Sequence, residues 1–213
     1  MTVYGPLGQR ASNGARTMST RILGITVAAM LLPLAAAWGA EATSSQSDVS
    51  LFGKDPGNDR VFACYKRHYD ADHLAAHPKQ NVSDMTLLVD SQMELDAARS
   101  YLLTIGVLFR KHDHLFQVSG GCDSSVDGRN ALNCGIDCDG GRIDVRVRDA
   151  NSILVSIPDG AATWSGDDPE PPADARFGAD DKSFRLERTD IADCRPLAWD
   201  DEARDLMGGN GTH

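Results

Sequence analysis

From Arg142 to Arg148 the chain reads RIDVRVR, polar and apolar by turns. Ile143, Val145 and Val147 fall on one side, and Arg142, Asp144, Arg146 and Arg148 on the other. A period of two predicts a strand with one wet face. Leu132, Cys134, Ile136 and Cys138 alternate in the same way before it, and Ile153, Val155 and Ile157 after it. Asp139-Gly140-Gly141 and Asp149-Ala150-Asn151-Ser152 separate the three runs. The first reads as a tight hairpin, because glycine reaches positive φ without a steric penalty; the second has ordinary turn residues. The pattern predicts an antiparallel meander.

Similar runs occur elsewhere. Val61–Tyr65, Met85–Val89, Leu115–Ser119, Ala161–Trp164 and Ser183–Arg188 read as short strands. Tyr101–Arg110 is more apolar, with Leu103, Ile105, Val107 and Phe109 on one face, and reads as a central strand. Asp70–His77 has the form of a short helix, with Asp70 as N-cap and Pro78 ending it. Ser91-Gln92-Met93-Glu94 resembles a capping box, which predicts a helical turn or two toward Arg99. The expected fold is mainly β: a single antiparallel β-barrel or β-sandwich of about eight short strands, with one or two short helices in the first half. Short hairpins between neighbours favour the barrel.

The ends of the chain have a different character. Arg10, Arg16 and Arg21 are the only charges before Glu41, and an apolar run spans Ile22–Ala37. With small residues following, this is the layout of a secretory signal, expected over 1–42, with Met18 as an alternative start. Sixteen apolar residues are few for a membrane span, which needs about 20, so no stable anchor is expected after cleavage. Residues 43–60 are polar and aperiodic and read as a flexible leader, with Leu51-Phe52 able to dock. The disulfide-containing β-domain is expected over 61–199. Within it, 165–181 is rich in acids and proline and reads as an exposed loop. Residues 200–213 read as a polar tail.

The chain has 21 Lys and Arg against 31 Asp and Glu, a net charge of −10. Without residues 1–40 the balance is 18 against 31, a net of −13. Such a chain has no electrostatic attraction to nucleic acid or to an anionic membrane surface. Five cysteines on a chain with an export signal imply disulfides, and place it in the periplasm or outside the cell. The expected bridges are Cys64 with Cys194, and Cys122 with Cys134 or Cys138. Cys134 and Cys138 cannot bridge each other along one strand. Four residues span roughly 13 Å there, and a disulfide holds its Cα atoms about 5.5 Å apart.

Candidate chemistry is sparse. His73 and His77 stand at i, i+4 on the expected helix, and His112 and His114 flank a turn. If helix and turn meet, these four imidazoles could hold Zn²⁺ or Cu²⁺, although surface or capping roles are the plainer reading. The acidic glycine turns at Asp123–Asn130 and Asp137–Asp144 look like calcium loops. The EF-hand pattern fails, because Gly141 and Arg148 occupy positions that need acids, so turn chemistry is preferred to a looser calcium site. Arg142, Arg146 and Arg148 form a basic strand face, read as solvated. GxSxG, SxxK, HExxH and glycine-rich nucleotide loops are all missing. A dyad of Cys64 with a neighbouring histidine competes with its candidacy for a disulfide. The leading expectation is therefore an exported, non-catalytic β-domain that binds a small ligand or an envelope protein. The alternatives are a Zn or Cu protein using the four histidines, and a hydrolase with a scattered active site.

Overall fold

The computed structural model describes residues 46–95, 98–124, 131–136, 140–166 and 171–209. The expected signal segment, the first residues of the leader and the end of the tail lie outside them. The elements are α1 (Gln46–Phe52), β1 (Val61–His68), α2 (Ala71–Ala76), β2 (Val82–Met93), β3 (Arg99–Phe109) and β4 (Phe116–Ser124). They continue with β5 (Ala131–Ile136), β6 (Gly141–Asp149), β7 (Ser152–Ser156) and β8 (Ser183–Arg188). A 3₁₀ segment (Ile191–Leu197) and α3 (Asp201–Gly208) follow. The strands pair antiparallel in chain order, and β8 meets β1 at Tyr65↔Arg188 and Lys66↔Glu187. The sheet therefore closes on itself as an up-and-down barrel, not a sandwich.

Alternation decides what fills it. Tyr65, Met85, Ile105, Phe116, Ile143 and Phe184 point inward and are fully buried. Burying each such side chain stabilises the fold by about 1.5–3 kcal/mol. An eight-stranded barrel is just wide enough for side chains to fill, and here they do. Lys66, Arg142, Arg146, Arg185 and Glu187 point outward into solvent. That is the reverse of the apolar-out pattern by which strands cross a membrane. Among the described residues, no helix is long and apolar enough to span one. The β5–β6 connection needs its glycine: Gly141 has φ +107°, and a Cβ there would lie 2.7 Å from Gly160 O.

The two barrel ends are closed differently, and each adds local order to a stretch read as loose, with Leu51-Phe52 docking as expected. At one end sits α1, within the stretch expected to be a flexible leader. Leu51 and Phe52 enter the core. Tyr65 Oη donates to Leu51 O at 2.7 Å, and Tyr101 Oη to Asp48 Oδ1 at 2.6 Å. The Arg188 guanidinium donates to the carbonyls of Ser50 and Leu51. A helix of seven residues is too short to show a period, and its anchors come from remote strands.

At the other end, residues 171–181 are exposed at most positions, as expected, but a few side chains anchor the segment. Ala175 is buried, and Phe177 meets Phe109 edge-on at 5.8 Å. The fully buried Asp181 accepts from the backbone N–H of Gly178 and Asn81, both at 2.7 Å, and of Val82 at 3.3 Å. Residues 167–170 lie outside the described residues.

Two further expectations change. The capping box at Ser91 does not start a helix. β2 runs on to Met93, Ser91 pairs with Tyr101, and Ser100 Oγ donates to Glu94. Residues 201–208, expected as polar tail, form α3. Asp200 caps it by accepting from Ala203 N at 2.6 Å, and Ala203 and Met207, one turn apart, are buried. With Cys64, Leu88, Cys194, Leu197 and Ala198 they make a second core outside the barrel, on the outer face of β1 and β2.

Candidate functional site

The histidine pairs form as their spacing predicts. Asp70 caps α2 by accepting from His73 N, and His73 stacks on His77 at 4.4 Å and on Tyr69 at 4.6 Å. His73 Nε2 lies 3.1 Å from Gln80 Oε1. In the β3–β4 connection, His112 and His114 are 5.7 Å apart and both lie against Phe116. His112 Nε2 lies 3.2 Å from Asp174 Oδ1. The helix does meet this connection, because Arg110 donates to the carbonyls of Leu74 and His77. Even so, among the described residues no three His, Cys, Asp or Glu side chains converge in a way that could hold a metal. The four imidazoles stay as two pairs. Most of the expected calcium loops, 125–130 and 137–139, lies outside the described residues.

Two disulfides are present among the described residues. Cys64–Cys194 joins β1 to the 3₁₀ segment. Cys122–Cys134 joins β4 to β5, where the two residues stand directly opposite with Cα atoms 4.0 Å apart. The open choice between Cys134 and Cys138 thus falls to Cys134, and Cys138 lies outside the described residues. A Cys64–histidine dyad is ruled out, because the sulfur is bonded. On the basic strand face, Arg142 pairs with Asp144 at 3.3 Å, and Arg146 and Arg148 are exposed.

Three tyrosines have perturbed acidity, Tyr65 and Tyr101 at the α1 end and Tyr69 beside α2. Burial pushes the Tyr65 hydroxyl up to about 12 and raises Tyr69 as well. Burial, then the hydrogen bond to Asp48, raises Tyr101 further. A raised phenol favours the neutral form in the fold. Its contribution is fully present below the ordinary pKa of about 10 and is lost as pH rises through the folded value. Tyr65, Tyr69 and Tyr101 should therefore stay neutral near pH 10 in an ultraviolet titration of the folded protein, and should ionise with unfolding above it. Three phenols titrating freely at pH 10 in folded protein would contradict this packing.

Among the described residues, side chains fill most of the barrel interior. The space between α1 and the sheet, lined by Asp48, Leu51, Leu132, Val145 and Val147, has a free volume of about 10 Å³, near the limit for one water. A shallow cleft by Arg99, Asp123 and Asn133 is open to solvent.

The outer wall has a more specific feature. Trp199 is 52% exposed, yet its indole Nε1–H donates to Thr104 Oγ1 at 2.8 Å, so the ring is held on β3. Trp164 lies 5.9 Å away, centre to centre. Its backbone pairs in both directions with Gln117, beyond the end of the β4–β5 ladder. Leu115, 42% exposed, and buried Leu197 lie over Gly106, where a Cβ would stand 2.5 and 2.9 Å from their methyl groups. Glycine at 106 is what lets this apolar layer lie flat.

Sequence reasoning missed this surface. The available signal was Asp200 as N-cap, Ala203 and Met207 one turn apart, and Gly208-Gly209 as a stop. It would have turned the tail into a docked helix and placed Trp199 just before it. No protein family, curated protein or solved structure matches the chain. The fold and this wall define a disulfide-bonded, up-and-down β-barrel with a filled interior.

Proposed function

We propose that this is an exported, non-catalytic β-domain that binds an envelope protein through its outer wall. The carrying observation is the filled lumen. With aromatic and aliphatic side chains inside and α1 across one end, the described residues leave little internal room for a small ligand, which favours recognition at the surface. Export is supported by the arginine-led apolar run at the N-terminus and by the two disulfides. A partly exposed tryptophan held in one orientation is the kind of rigid anchor that dominates protein interfaces.

The test places a photoreactive residue at Leu115, beside the tryptophans, or at Arg142 on β6, in cells exporting the protein. Discrete protein adducts should form from position 115 and not from 142. Adducts absent from 115 would overturn the reading, as would a small molecule found within the barrel by native mass spectrometry.

A further inference from the structure

We propose that the Trp164–Trp199 wall receives a cationic, Lys- or Arg-bearing segment of the partner; this rests on the outer-wall reading above. Charge complementarity selects the occupant. Between residues 190 and 208 the chain has six carboxylates and two arginines, on the elements that carry Trp199. At the start of α3, the side chains of Asp200, Asp201 and Glu202 are 50%, 95% and 76% exposed. The neighbouring cation is withdrawn. Arg60, only 14% exposed, is held by Asp90 at 2.5 Å, Asp200 at 2.9 Å and Glu202 at 3.5 Å. Arg204 bonds Asp201 and the carbonyl of Ala198, and the Arg195 guanidinium lies against Gly208. Arg60 and Arg204 together face four carboxylates, so the wall shows solvent a net negative field beside two indoles.

That combination suits one chemistry. The face of an indole attracts a guanidinium or ammonium group, most strongly when water is excluded. The carboxylates then steer the cation and pair with it. A second copy of this acidic chain would bring like charge to the same place, and an anionic lipid surface would be repelled.

The probe is a fluorescein-labelled octapeptide of alternating Arg and Lys, with all-Glu and Gly-Ser octapeptides as comparisons. The full chain carries Trp38→Phe, so that both remaining indoles report on the wall. The cationic peptide should bind, shield both indoles from acrylamide, and weaken as salt rises. Binding should fall about tenfold in Trp199→Ala and in Asp201→Asn/Glu202→Gln. The second variant changes only exposed side chains, and the shielding needs no substitution on the wall. Equal binding of the three peptides, or cationic binding unchanged in both variants, overturns the proposal. So does self-association that buries both indoles without peptide. If adducts still form from position 115, only the cationic assignment falls; if they do not, the outer-wall reading falls with it.

Discussion

Replacing Cys64 and Cys194 together with alanine should lower the thermal midpoint by roughly 10–20 °C. The two cysteines are 130 positions apart. Closing so long a loop restricts the unfolded chain by about 4.5–5 kcal/mol in the loop-entropy account, and each kcal/mol moves the midpoint of a domain this size by about 2–4 °C. The loss should also be local. Cys194 sits in the small core of Leu88, Leu197, Ala198, Ala203 and Met207, which covers the outer face of β1 and β2. Without the bond, the segment from 190 to 208 should lose amide-exchange protection before the strands do. Trp199 should report this early as a red shift in emission, since its ring is held on Thr104 only while that segment stays docked. Calorimetry and exchange mass spectrometry together check the effect. A midpoint within a few degrees of the parent would mean that apolar docking alone holds the segment.

What the sequence made legible follows from the range of each signal. A strand buried on one side writes its period into consecutive residues, so Ile143, Val145 and Val147 could be assigned to the interior, where they lie. Closure into a barrel could be favoured but not fixed, because Tyr65↔Arg188 and Lys66↔Glu187 join the two ends of the sheet. The bridge from Cys122 needed a register. Spacing excludes a Cys134–Cys138 bond, but only the β4–β5 pairing places Cys134 opposite Cys122. Helix α1 owes its place to Tyr101, 53 residues from Asp48, and the start of α3 is tied to Arg60, 140 residues from Asp200. Local reading took both segments for flexible or polar ends. The tryptophan wall depends in the same way on Thr104 and Gly106, residues that say nothing about Trp199 until the fold exists.

Asp181 shows how one such long-range group governs a whole end of the barrel, and Asp181→Ala should cost roughly 3–5 kcal/mol. Its carboxylate is fully buried. Oδ2 alone accepts from Gly178 N, Asn81 N and Val82 N, and Oδ1 adds a longer contact to Val82 N at 3.4 Å. Alanine would orphan three donors, the Val82 N–H buried and those of Asn81 and Gly178 partly buried, and each buried orphan costs about 1–3 kcal/mol before relaxation. The effect should spread along the loop. Asn81 also donates to the carbonyls of Asp174 and Arg176, and Asp174 faces His112. The entry to β2, the 171–181 segment and the His112 connection should therefore loosen together. Asp181→Asn keeps one acceptor for the shortest bonds but turns an amide toward Val82 N, so its loss should be smaller, about 1–2 kcal/mol. Asp180→Ala, at the exposed neighbour, should stay within about 0.5 kcal/mol of the parent. Urea unfolding ranks the three variants, and amide exchange at Asn81 and Val82 reads the orphaned donors directly. If Asp181→Ala proved no more harmful than Asp180→Ala, the carboxylate would not be what closes this end, and the packing of Phe177 on Phe109 and Phe184 would have to do so alone.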